Sequence, residues 1–419
     1  MNNSGIGWID FSDEHRQRVM SVIDLVKGEG MVDELGIGSI RDGIANRLFP
    51  GVSTIQTRAR YFTILPSIFL HYIKKHEAGE KVPPLSEYLR TTEKEVIDYL
   101  TKNSSDETGI IGVTIANSKK DLAQYPSSIY WNGLRTHKII DTELSLAAYL
   151  ATNDLSKVKK TRYKNDETTD DLEAEMYDSF HIRLGEPIDL GEELTIQMSK
   201  SEASFLQDFF ISIVNSKKED NLLSVLLKQD STLEEFIRDG TFSEMANRLT
   251  MLTDLPQATK EVLEIALTFD HLIHGAHIIY NLRLAQISGI ADFKYSSTHK
   301  HFKERTPQEL WENWVDSLTE WGGIFDQFDL QEICQELAPN TDQKTIDFIN
   351  TFRVMILQDT SHTQPLIDLV KGQEIRKKGN RSRLRATSGD YTDWIGISAL
   401  NYRYFQARTI IKDIIDARS

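Results

Sequence analysis

A chain of 419 residues exceeds one ordinary hydrophobic core and suits two or three domains. Its 40% hydrophobic and 26% charged residues exclude wholesale disorder, and its single cysteine, Cys334, excludes a disulfide framework or a cysteine-rich zinc site. A net charge of −15 excludes a surface that coats nucleic acid everywhere, while leaving room for a local basic groove.

The first thirty residues carry Asp10, Asp13, Glu14 and Arg16 and lack an apolar core, which argues against a secretory signal. The most apolar stretch, Ile64 to Ile73, has about half the length of a membrane span. A cytoplasmic protein without a membrane partner is expected. In Val32-Asp-Glu-Leu-Gly-Ile-Gly-Ser-Ile-Arg-Asp42, Gly36 and Gly38 predict a tight turn before a helix starting near Ser39. A helix N-terminus beneath such a turn can hold phosphate, but this one lacks the Lys-Ser/Thr of a P-loop and a preceding strand, so a structural turn competes. Arg58 and Arg60, two apart, point to different faces of a helix, and one is expected to pair with an acid such as Asp42.

Helix starts are legible as capping boxes, in which a hydroxyl and a Glu three residues on satisfy each other's backbone amides. Thr92–Glu95, Ser199–Glu202, Ser231–Glu234 and Thr306–Glu309 fit, the last with Pro307 at the first helical position. Val113–Ile115 and Leu194–Ile196 are candidate short strands. Between them lies the best DNA-binding candidate. A short helix over Lys119 to Gln124, a turn at Tyr125-Pro126 and a second helix from Ser127 through His137 form a helix-turn-helix pattern. Tyr130, Asn132 and Arg135 would read the groove. The alternative is a packed helix with Ile129, Leu134, Ile139 and Trp131 in the core.

Residues 157–164 are basic and 166–175 acidic, a segregation that marks a solvated linker near 156–178. The expected organisation is a helical domain over 1–155 containing the helix-turn-helix-like segment, this linker or exposed loop, and a helical domain over 179–419. After Ser199, the apolar Ala203, Leu206, Phe210 and Ile213 form one buried stripe. Gln257 to Ile287 contains no proline and reads as one long helix. On it Asp270, His274, His277 and Asn281 recur at steps of four, three and four, hence on one face. Asp270, His274 and His277 are candidate zinc or iron ligands, and a satisfied polar seam between helices is the alternative.

Thr306 to Leu337, broken at Gly322-Gly323, predicts a helix pair, with Cys334 a buried structural thiol. Thr341 to Val370, interrupted at Pro365, and Ile397 to Ala417 are further helices. Lys371, Arg376, Lys377, Lys378, Arg381, Arg383 and Arg385 crowd into one stretch opposed only by Glu374, an anomaly in so anionic a chain. Phosphate contact needs such a cluster, and a solvated or internally neutralised loop is the alternative.

The blocks Gly5-Ile-Gly-Trp-Ile-Asp-Phe-Ser12 and Phe49-Pro-Gly-Val-Ser-Thr-Ile-Gln-Thr-Arg-Ala-Arg-Tyr-Phe62 carry a resemblance, together with Val32–Asp42, Pro126–Leu134, His274–Asn281 and Asn401-Tyr-Arg-Tyr404. Across nearly the whole chain the sequence resembles the uncharacterised bacterial domain-of-unknown-function family 6361. The resemblance implies a bacterial protein encoded in anti-phage defence neighbourhoods, beside a helicase with a phospholipase-type nuclease domain, and it supplies no catalytic residue. The combined expectation is a mainly α, multi-domain helical protein without a cofactor. It would act as a non-enzymatic DNA-binding or adaptor subunit of a defence complex, touching DNA through Tyr130, Asn132, Arg135, Lys377, Lys378, Arg381, Arg383 and Arg385, with a helicase or nuclease as protein partner. The alternatives are a metal-dependent nuclease or hydrolase using Asp270, His274 and His277, and a protein-only scaffold.

Overall fold

The computed structural model describes residues 33–104, 108–115, 121–157, 177–214, 219–289, 305–391, 394–396 and 399–418. The block Gly5–Ser12, the start of the expected helix Lys119–Gln124 and most of the expected linker lie outside them. The fold is mainly α. In the described residues extended pairing is limited to isolated bridges, Ile140 with Ile182 and Val214 with Asp220. Val113–Ile115 is a turn of 3-10 helix, and Leu194–Ile196 is irregular. Neither expected strand forms, because neither has a neighbouring strand to supply the ladder bonds.

Two compact units interleave along the chain, one holding 51–210 with 406–418 and the other 33–50 with 211–405. The first contains α2 (Tyr61–Glu77), α3 (Leu85–Asn103), α4 (Pro126–Thr136), α5 (Leu146–Thr152) and most of α6 (Lys200–Ser212) and α16 (Tyr404–Arg418). Its core is aromatic. Phe62 meets Tyr130 and Phe210 edge-on at 5.0 and 5.4 Å, while His137 stacks on Phe210 at 4.0 Å. The apolar run Ile64–Ile73 supplies the buried faces of α2 and is core material. Ala203, Leu206 and Phe210 are buried as their spacing predicts, but α6 stops at Ser212 and leaves Ile213 outside.

Buried carboxylates fasten this unit. Arg58 pairs with Asp413 at 2.9 Å and Arg60 with Glu202 at 3.1 Å, so neither arginine uses Asp42, the expected partner. Glu202 also closes the capping box with Ser199. The other expected boxes in the chain fare unevenly. Thr92 lies inside α3, whose start is Leu85. Glu93 accepts the Ser127 amide at 2.6 Å and the Ser127 hydroxyl at 3.1 Å, placing a carboxyl against the positive end of α4. Burial nevertheless dominates and pushes Glu93 up to about 7.

A folded-state proton held above the ordinary range has a definite sign. Between about pH 4.5 and 7 the native state keeps the Glu93 proton that the unfolded chain has lost, so this group's contribution to stability falls as pH rises. The loss across that window is of order 3 kcal/mol. Glu93→Gln is therefore expected to flatten the descending limb of the melting temperature between pH 5 and 8, read by thermal denaturation; an unchanged limb would contradict it.

The second unit is built on α10 (Gln257–Ser288). Around it lie α1 (Gly38–Leu48), α7 (Leu222–Lys228), α8 (Asp230–Ile237), α9 (Phe242–Thr250), α11 (Pro307–Asp316), α12 (Leu318–Gln327), α13 (Leu330–Leu337), α14 (Gln343–Gln358) and α15 (Thr363–Lys378). The single long helix expected from Gln257 forms as read. Its length and hydropathy would suffice to cross a membrane, but 72% of the apolar window is buried, which marks a core helix.

The Thr306–Glu309 capping box is present at α11. The expected break at Gly322-Gly323 is not: both glycines sit within α12, and the chain turns instead at Ser317 and at Phe328-Asp329, giving three helices. Asp329 caps the third through the Glu332 amide. Pro365 falls in the first turn of α15, where a missing amide is tolerated, and the interruption lies at 359–362. α8 starts at Asp230, and Ser231 is no cap because its hydroxyl donates to Asp254. Cys334 is buried with its thiol pushed up to about 11, as a structural cysteine should be.

Candidate functional site

The Gly36 turn forms as expected, with φ of +76°, and α1 follows. Asp33 takes the place a phosphate would occupy. Its carboxylate accepts the Ile37 amide at 2.7 Å and the Gly38 amide at 2.8 Å, so the helix N-terminus already holds its anion. The Lys377 stem lies over Gly36, where a β-carbon would meet its Cε at 2.2 Å. Lys377 thus packs along this turn and pairs with Asp342.

The rest of the basic stretch is folded inward to a degree its composition does not announce. Glu374 is fully buried. It accepts the hydroxyls of Tyr280 and Ser382 and the amides of Arg383 and Leu384, at 2.6 to 3.2 Å. The segment after α15 is therefore wrapped around one carboxylate and is no solvated loop. Glu34, also fully buried, pairs with Lys378 and with Arg383 at 2.7 Å. Arg376 joins Lys377 on Asp342, holding that carboxyl well below its usual range. Four of the seven cations thus serve Glu34 and Asp342. Arg381 and Arg385 are exposed; Arg385 donates to Asn380 at 2.9 Å. With Lys371 they are the members of the cluster without a carboxylate partner among the described residues.

The helix expected to read a groove is a core helix. Tyr130 is fully buried, and its hydroxyl accepts the Thr57 and Arg58 amides and donates to the Arg58 carbonyl, at 2.8 to 3.0 Å. This corrects the expectation for Tyr130, which no base edge can reach. Arg135 is turned onto the Thr142 and Glu143 carbonyls and the Glu143 carboxylate. Asn132 alone of the three is exposed. Ahead of α4, residues 121–125 are irregular, so the described part of Lys119–Gln124 does not supply the first helix of the motif.

The α10 face with Asp270, His274, His277 and Asn281 exists as read, and its work is visible. Asp270 accepts the Leu400 amide at 2.6 Å, and Asn281 both accepts from the Ile395 amide and donates to the Ile395 carbonyl. His274 stacks on Trp394 at 6.0 Å, and the His277 ring lies against Gly396. The four side chains form a seat for Trp394, Ile395, Gly396 and Leu400, which sequence spacing alone could not distinguish from a ligand set. Loss of water favours the neutral forms of Asp270, pushed up to about 7, and of His277, pushed down to about 4. Among the described residues, no group of three or more His, Cys, Asp or Glu is placed to hold a metal ion.

A family model described as "Family of unknown function (DUF6361)" matches residues 3–418. The chain belongs to this family. No curated protein and no solved structure matches it. Within this family member, then, three sequence features that invited a chemical reading are tied to the architecture of its second unit. These are the glycine turn, most of the basic stretch and the histidine-bearing helix.

Proposed function

We propose that this chain is a non-enzymatic adaptor of a bacterial anti-phage defence complex, cytoplasmic, whose anionic helical surface faces a helicase or nuclease subunit. The defence setting and that partner follow from the family resemblance. The adaptor half of the reading is carried by one observation: Lys378 and Arg383 hold the buried Glu34, and Arg376 and Lys377 hold Asp342, so most of the basic stretch neutralises its own unit. What faces outward is the balance of a −15 chain, which suits protein contacts better than a phosphate backbone. The metal-hydrolase alternative is disfavoured because Asp270 is engaged with Leu400, His274 with Trp394 and His277 with Gly396.

Titration of the full chain against labelled duplex DNA from about 50 to about 200 mM salt tests this. Lys371, Arg381 and Arg385 are the cations of this stretch without a carboxylate partner among the described residues, so it could meet about three phosphates, and Lys371→Ala/Arg381→Ala/Arg385→Ala is expected to lessen the slope of log K against log salt by no more than about 3. Binding with a slope beyond about −5, abolished by Arg381→Ala/Arg385→Ala, would restore the nucleic-acid reading.

A further inference from the structure

We infer that the turn Asn401–Tyr404 is a strained latch in the second unit, closed in this structure, whose open state carries α16 back through Leu400. The Tyr404 amide donates to the Asn401 carbonyl at 2.8 Å and closes a four-residue turn. Its two central residues, Tyr402 and Arg403, both have positive φ, +46° and +67°. A turn of that kind ordinarily holds Asn-Gly, because a β-carbon crowds the backbone there. Among the described residues, positive φ at non-glycine positions is otherwise confined to Lys138 and His181, which stand singly. Each left-handed residue is disfavoured roughly five- to thirtyfold against the right-handed helix.

The local sequence points the other way. Its spacing predicts a helix from Ile397, and Leu400-Asn-Tyr-Arg403 holds neither proline nor glycine, yet α16 begins at Tyr404. Tertiary contacts override that preference. The buried Tyr402 donates its hydroxyl to the Ala266 carbonyl at 2.9 Å, with its ring 4.8 Å from that of Phe242. Arg403 donates to the Asn46 side-chain oxygen at 2.6 Å and pairs with Asp42 at 3.4 Å. The Leu400 amide donates to Asp270 at 2.6 Å. These contacts hold the turn in a conformation its residues disfavour. Continuing the helix through Leu400 would break them together, so the element has two discrete arrangements.

The clamp on Arg403 is accessible from solvent. On α1 the Asp42 side chain is 44% exposed and Asn46 is exposed. A group that claims those two side chains therefore opens the latch. Opening carries a signature at single amides. The Leu400 amide, now held by Asp270, would fall in the first turn of the longer helix, where no intrahelical acceptor exists. The Tyr404 amide would exchange the Asn401 carbonyl for that of Leu400 and stay bonded.

Hydrogen exchange of the full chain, resolved to single amides by mass spectrometry, is the test. Arg403→Ala drops the clamp and keeps the β-carbon, so Leu400 exchange should quicken about tenfold or more while the Tyr404 amide stays protected. Arg403→Gly drops the same clamp but suits the left-handed turn and disfavours helix. In it Leu400 should exchange about tenfold or more slowly than in Arg403→Ala. Asn46→Ala, at an exposed position, should quicken Leu400 several-fold and supplies the answer if Arg403→Ala fails to fold. Equal exchange in the alanine and glycine variants would remove strain as the cause and overturn the latch. Protection lost at Leu400 and Tyr404 together would show fraying in place of a longer helix and overturn it too, as would unchanged exchange in Asn46→Ala.

Discussion

Glu34→Ala is expected to destabilise the second unit by about 3 kcal/mol or more, the range for removing one partner of a buried ion pair. Glu34 has no solvent exposure and faces two cations, Lys378 and Arg383. Without it both remain, Lys378 largely enclosed, with no carboxylate to offset their lost hydration. Arg383 is partly exposed and recovers some hydration, which is why the lower end of the range applies. The companion Arg383→Ala should cost far less, since Glu34 keeps Lys378. Urea denaturation of the variants separates the two. Equal and small losses would mean that Glu34 is no anchor, and the account of the basic stretch would fail with it.

Gly43→Ala is expected to be the most damaging single methyl in the second unit. A β-carbon there would stand 2.1 Å from the Leu337 carbonyl oxygen and 3.0 Å from the Ala338 β-carbon, so α1 and α13 approach each other backbone to backbone. A side chain can swing aside, but a helix end cannot without opening the contact, and overpacking of this kind costs roughly 1–3 kcal/mol and upward. Gly323→Ala is the control. It lies in α12 with nothing within 4 Å, and there the better helix propensity of alanine should stabilise by about 0.5–1 kcal/mol. Opposite signs for two glycine-to-alanine changes, both read as urea midpoints, would establish close helix contact as the cause. Two changes of the same sign would remove it.

Much of the helical architecture was legible because its signals are local. Thr306-Pro307 with Glu309, the Ser199–Glu202 box, and the proline-free run from Gln257 each announce a helix through neighbours within one turn. The misreadings have a common physical origin. Gly322-Gly323 looked like a break, yet helix packing tolerates two glycines where the propensity penalty is about 1 kcal/mol each. Thr92–Glu95 has the capping pattern but lies where the helix had already started at Leu85. The box that does form at Thr241–Glu244 carries the same local pattern.

The candidate site was legible as a set of residues and illegible as a set of roles. The α10 face with Asp270, His274, His277 and Asn281 follows from spacing, but what it touches comes from Trp394 to Leu400, more than a hundred positions on. The seven cations near the C-terminus are plain in the sequence, whereas Glu34 and Asp342, which neutralise four of them, are supplied from elsewhere in the chain. Only Glu374 is local, and its four buried hydrogen bonds could not be counted from its neighbours. Tyr130 shows the same limit. A tyrosine near a helix start reads as an available hydroxyl until Thr57 and Arg58 are found on it.

Purification of the tagged chain from its native host, after exhaustive nuclease digestion, tests the proposed adaptor role most directly. The account predicts that a protein partner stays bound in fixed proportion once all nucleic acid is gone. Recovery of the chain alone after digestion, with partner and DNA lost together, would contradict it.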